Sequence, residues 1–145
     1  MDMNWINGRL ACGAAIEPGD VDEYIRQGIT HVIDCRAEFD DTAEFSEKGV
    51  SVLWLGVCDD GQPKPVEWFQ HGIEFALDAL SHPKNKLDGH CAAGVNRGPS
   101  MVYGILRAMG FSGDVAMQLL KTARPQVGVA YRADADRAVQ ILGYV

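Results

Sequence analysis

The sequence predicts an α/β domain. Short apolar, β-branched runs alternate with segments whose apolar residues recur at the helical period, the pattern of strands joined through helices. A chain of 145 residues suits one compact domain, and 47% hydrophobic residues is enough for a real core. No internal repeat, low-complexity tract or linker divides it, so residues 1–145 are expected to fold as a single domain.

Trp5-Ile6-Asn7-Gly8-Arg9-Leu10 reads as an opening strand and turn. A short helix over Val21–Gln27 ends at Gly28, a residue suited to the position after a helix C-cap. Ile29–Cys35 and Val50–Val57 are apolar runs that read as buried strands. Cys58–Pro65 carries Gly61, Pro63 and Pro65 and reads as a loop. Over Val66–Leu80, Phe69, Ile73, Ala76, Leu77 and Leu80 keep the helical period, and Ser81-His82-Pro83 ends the helix. A strand then leads into His90-Cys91, although Lys86-Leu87-Asp88-Gly89 is a poor strand sequence. Asp88 brings a charge to the core, which is costly unless paired, and Gly89 marks a bulge or a close approach. Past the loop, Pro99 falls in a first helical turn, and Met101, Val102, Ile105, Leu106 and Met109 form an apolar face ended by Gly110. Ser112 caps the next helix, with Asp114 in its first turn, and that helix ends near Arg124-Pro125. Ala133–Leu142 forms the last helix. The acidic run Glu38–Glu47 reads as a solvated face.

The stretch with chemical content is His90-Cys91-Ala92-Ala93-Gly94-Val95-Asn96-Arg97. Five residues between a cysteine and an arginine let a short loop wrap one tetrahedral oxyanion. The backbone N–H groups of Ala92, Ala93, Gly94, Val95 and Asn96 point inward, and Arg97 closes the ring with a planar two-pronged donor. The following helix adds its positive end. Thiols in such a field lose their proton readily, which makes Cys91 a candidate nucleophile toward a bound phosphate. Gly94 permits a backbone turn that a side chain would hinder. His90 either tunes the site from behind or is a satisfied core histidine.

Composition narrows the partners. A formal net charge of −7 argues against nucleic acid and against anionic membrane surfaces. Cys12, Cys35, Cys58 and Cys91 include no Cys-x-x-Cys pair, which argues against a zinc site. The N-terminal residues have neither a basic start nor a long apolar run, and no stretch approaches a membrane span. A reducing cytoplasm is the expected compartment.

The loop resembles the phosphate-binding loop of the cysteine-dependent protein phosphatases, and of the small dual-specificity phosphatases in particular. Gly28-Ile29-Thr30-His31-Val32-Ile33-Asp34 resembles their early core strand. The Asp59-Asp60 loop, Trp68-Phe69 and Arg124-Pro125 follow in the family's order, so the resemblance runs from about Leu10 to Leu142. It implies a central, mostly parallel sheet flanked by helices. It also implies a metal-independent phosphatase with no cofactor, acting as a monomer on phosphotyrosine and phosphoserine or phosphothreonine of proteins or peptides.

The leaving oxygen needs a proton, and a carboxylic acid beside the pocket would supply it. Family spacing counted back from Phe69 places that acid at Asp59, with Asp60 next to it. After Arg97 the family usually has Ser or Thr, whose hydroxyl bonds the cysteine sulfur and eases its departure. Here Gly98 stands there, and Ser100 is two positions late, which implies a slow second step. Arg124 belongs to the pocket rim or to the frame, with the frame favoured, and Cys58 is either a redox partner for Cys91 or a small buried hydrophobe. Two other readings remain: a phospho-binding pseudophosphatase, and a rhodanese-like sulfurtransferase, whose loop is usually one residue shorter.

Overall fold

The computed structural model describes residues Met1–Val145. Five strands, β1 (Met3–Trp5), β2 (Leu10–Gly13), β3 (His31–Arg36), β4 (Ser51–Val57) and β5 (Leu87–His90), form one sheet in the order β1-β2-β5-β3-β4. Only β1 runs antiparallel to its neighbour; the other pairs are parallel. The helices are α1 (Val21–Arg26), α2 (Thr42–Ser46), α3 (Val66–Leu80), α4 (Arg97–Ala108), α5 (Gly113–Ala123) and α6 (Arg132–Ile141). The fold is the expected mostly parallel α/β sheet with helices on both faces.

Strand pleating sorts side chains to those faces. Ile33 and Cys35 of β3 and Leu87 of β5 join the larger core with Phe69, Ile73, Met101, Ile105, Leu120 and Val139 from α3 to α6. Val32 joins a smaller core with Val21, Tyr24 and Phe45 from α1 and α2. Each fully buried side chain of this size contributes about 1.5–3 kcal/mol over leaving it exposed.

The register explains the poor sequence of β5. Val32 pairs with Asp88 and Asp34 with His90, so Asp88, His90 and Asp34 line the α1/α2 face together. Asp88 has its partner there: its Oδ2 lies 3.1 Å from His90 Nδ1. Gly89 points to the other face, where a Cβ would lie 3.0 Å from Val102 Cγ2 of α4.

Four expectations shift. Val50–Val57 does not form a buried strand: β4 is the sheet's edge strand, none of its residues is fully buried, and Trp54 is exposed. Trp5–Leu10 is not a strand followed by a turn but the turn of a hairpin with a strand end on each side: Asn7 Oδ1 accepts from the Arg9 and Leu10 N–H groups at 2.7 and 2.8 Å. Ile29 is spent closing α1, its N–H donating to Tyr24 O at 3.1 Å, so β3 starts at His31. The acidic run is not simply a solvated face. It contains α2, buries Phe45 and Asp41, and pairs Glu38 with Arg97, because Asp41 answers the buried cations Arg36 and His90.

Candidate active site

β5 delivers Cys91, which is buried at the sheet's C-terminal edge, and its N–H donates to Gly13 O at 3.3 Å. From Ala92 to Asn96 every peptide carbonyl accepts a hydrogen bond. Ala92 O accepts from Ala15 N at 3.1 Å, Val95 O from Gly128 N and Val129 N at 2.9 and 3.1 Å, and Asn96 O from Ser100 N at 2.8 Å. Ala93 O and Gly94 O accept from Arg124 Nη2 and Nε at 3.0 and 2.8 Å. A planar trans peptide sets its N–H opposite its C=O, so the amides that follow face into the loop. None of the N–H groups of Ala92–Asn96 donates to a protein acceptor. Gly94, at φ +66°, makes the left-handed turn this requires.

Arg97 opens α4 and is buried. Its Nη1 donates to Glu38 Oε1 at 2.6 Å and to Val57 O at 2.8 Å, and Nη2 donates to Glu38 Oε2 at 2.9 Å. A guanidinium has five N–H donors in a fixed fork. Three are used, and Nε has no protein partner. The unused pair, on Nε and Nη2, forms one two-pronged edge. Glu38 thus holds the guanidinium without occupying the edge an oxyanion would use. The contact holds the Glu38 carboxyl down at about 2.

The two acid candidates separate. Asp59 Oδ1 accepts from Tyr131 Oη at 2.7 Å, and its Oδ2 lies 3.5 Å from Asn96 Nδ2 of the loop. Asp60 turns away, accepting from Lys64 Nζ at 2.8 Å and Gln62 N at 3.0 Å. Lys64 first, then the Gln62 amide, holds the Asp60 carboxyl below the usual carboxylate range, the wrong direction for a proton donor.

His90 lies fully buried behind Cys91, between Asp88 on Nδ1 and Asp41 on Nε2 at 2.7 Å. Burial alone would push the imidazole down; Asp41 and Asp88 outweigh it and raise His90 to about 10. Asp34, Asp41 and His90 are residue types that bind metals, and their donor atoms lie within 4.8 Å of one another. The cation already there is Arg36, at 2.9 Å from Asp34 and 3.3 Å from Asp41.

Ser100 is buried, and its Oγ accepts from Tyr131 N at 3.1 Å, so it braces the tyrosine that donates to Asp59. Gly98 is held small by packing. Its φ is not positive, but a Cβ would lie 3.1 Å from Gly89 O and from His90 Cα and C. Gly98→Ser is therefore expected to lower stability by about 1–3 kcal/mol through overpacking against β5. Thermal melting checks this, and an unchanged midpoint would show that α4 has room for the hydroxyl. Cys58 is exposed, not buried. Cys12 and Cys35 sit buried on the strands flanking β5. Burial pushes the Cys12 thiol up to about 12 and the Cys35 thiol well up, so both stay neutral.

Sequence reading did not single out Glu38, Tyr131, Asp2 or Asn4, and Arg124 proves to bind the loop itself. None of them belongs to a local motif, and their contacts cross 59 to 122 residues of chain.

The chain matches no protein-family model. It is 34% identical over 114 residues to Dual specificity protein phosphatase 26 of Rattus norvegicus, which covers 68% of this chain. It spans 54% of that relative's length, about half. Its fold matches the crystal structure of PTPMT1 in complex with PI(5)P with a TM-score of 0.83 at 17% identity, covering 98% of this chain and 99% of that one. The crystal structure of human DUSP28 matches with a TM-score of 0.82 at 20% identity, covering 99% and 96%. The fold of this chain is therefore that of the dual-specificity-phosphatase-like cysteine-dependent phosphatases, and its sequence is similar to one of them over 114 residues.

Proposed function

We propose that residues 1–145 act as one catalytic unit that hydrolyses phosphate monoesters through a phosphocysteine on Cys91. The observation that carries this is the ring of unpartnered donors around the cysteine: the inward amides of the loop and the free edge of Arg97. These donors match three equatorial phosphoryl oxygens and supply the positive field that metal ions provide elsewhere. The Cys91 thiolate forms the S–P bond as the P–O bond to the alcohol or phenol breaks. Asp59 gives its proton to the departing oxygen. Water then attacks phosphorus, Asp59 takes the water's proton, and orthophosphate leaves with the thiolate restored. Tyr131 fixes Asp59, and Asn96 holds it against the loop.

The rim supports protein phosphomonoesters as substrates, with phosphotyrosine and phosphoserine or phosphothreonine both admitted. The cations near the loop already face carboxylates: Arg97 with Glu38, Lys64 with Asp60, Arg124 with Asp2, and Arg36 with Asp34 and Asp41. A ligand with further phosphates would meet acids beside the loop. The same acidity disfavours nucleic acid, and no helix is long and apolar enough to cross a membrane. A reducing compartment suits the free thiol at Cys91, and a monomer suffices because one chain supplies every residue of the site.

The test is turnover of a chromogenic aryl phosphate, retained with a chelator and lost in Cys91→Ser. Phosphopeptide binding without turnover would identify a pseudophosphatase, and sulfur transfer from thiosulfate to cyanide a sulfurtransferase. Asp59→Asn should lower kcat about a hundredfold for alkyl phosphates, whose leaving groups need the proton, and less than about tenfold for an activated aryl phosphate. Asp60→Asn should not show that split. If it does and Asp59→Asn does not, the acid is Asp60.

A further inference from the structure

The five N–H donors of Arg124 are all satisfied, and its side chain is fully buried. Nε and Nη2 hold Gly94 O and Ala93 O, the two carbonyls at the apex of the phosphate loop. Nη1 donates to Asp2 Oδ1 at 2.6 Å and Asn4 Oδ1 at 2.9 Å, and Nη2 to Asp2 Oδ2 at 3.0 Å. Asp2 is the one carboxylate paired with this guanidinium. The strands fix it in place: Met3 pairs with Gly13, and Ala14 N donates to Asp2 O at 2.9 Å. We propose that Asp2, with Asn4, is a positioning residue for the oxyanion site, acting through Arg124.

The reasoning is electrostatic. A buried guanidinium without its counter-ion is costly, and water at the surface is the alternative. Without the Asp2 carboxylate, Arg124 gains by turning outward. Ala93 O and Gly94 O then lose their donors, their peptide planes are free to rotate, and the amides of Gly94 and Val95 no longer face inward. The left-handed Gly94 turn loses the contact that stabilises it. A residue 122 positions from Arg124 in sequence thus sets the direction of amides it never touches.

The inference rests on the phosphate reading of the loop, so its test reads oxyanion binding without turnover. Vanadate affinity is measured by calorimetry on the full chain. Asp2→Asn should weaken vanadate about tenfold to a hundredfold, the range for losing charge-assisted hydrogen bonds. Asp2→Glu should recover part of the loss, and Asn4→Ala should weaken binding less. Arg124→Ala with Asp2→Asn should be no worse than Arg124→Ala alone, because the effect runs through Arg124. Additive losses in the double variant, or an Asp2→Asn protein that binds vanadate like the wild type, would overturn the inference. Should Asp2→Asn fail to fold, the Asn4→Ala result decides in its place. A wild-type protein that binds no vanadate would instead overturn the phosphate reading.

Discussion

Arg97→Lys is expected to lower kcat for an aryl phosphate by about 10²–10³, the range for removing a preorganised donor to developing charge. Arginine here does two things at once. Nη1 and one N–H of Nη2 hold Glu38 and Val57 O, and the opposite edge stays free for the phosphoryl group. A lysine ammonium is a point charge on a flexible stem. Drawn to Glu38 and Val57 O, it leaves the loop without a rigid fork. Steady-state kinetics with a melting curve as the folding control checks this. A lysine variant within threefold of wild-type kcat would remove Arg97 from its proposed role.

His90→Gln is expected to destabilise the fold by roughly 3–5 kcal/mol, since it removes the buried cation between Asp41 and Asp88, leaving Asp41 with Arg36 alone and Asp88 with none. Two carboxylate oxygens, Asp41 Oδ1 and Asp88 Oδ1, already lack partners, and the Tyr24 hydroxyl sits near Asp88 without a formed hydrogen bond. Arg36 reaches Asp41 and not Asp88, and the Tyr24 hydroxyl is neutral, so neither replaces a cation between the two carboxylates. The pH dependence follows from the direction of the shift. His90 titrates near 10 when folded against an ordinary 6.5, so the native state holds a proton the unfolded chain releases. Its contribution is complete below pH 6.5, declines as pH rises above that, and is lost as pH passes through about 10. Urea unfolding at pH 6, 8 and 9.5 should show wild-type stability falling relative to His90→Gln. Parallel curves would mean that His90 is buried neutral.

The helix Val66–Leu80 and the loop from Cys91 to Arg97 were legible in the sequence because period and spacing are local signals. What was not legible depends on pairing. Asp88 looked like a defect until the register set it beside His90 on one face of the sheet. Glu38 and Asp41 looked solvated because an acidic run gives no sign of a buried cation 49 or 59 residues away. Asp59 and Asp60 differ through their contacts with Tyr131 and Lys64, neither part of a motif. Gly98 read as a missing hydroxyl, whereas it is where α4 closes on β5.

The strand order also bears on how the protein is made. β5 is the last strand in sequence yet sits at the centre, pairing Leu10 and His31 with Leu87. Until it inserts, the β1–β2 hairpin and the β3–β4 pair have no common edge and cannot join. Contacts this distant in sequence make folding slow, on the order of milliseconds to seconds. On the ribosome the loop's surroundings cannot be complete until Tyr131 has been made, because Tyr131 and Arg124 are both needed. The thiol should therefore become reactive late and abruptly, and its rate of alkylation during refolding should track the final docking of β5 rather than the earlier appearance of helix.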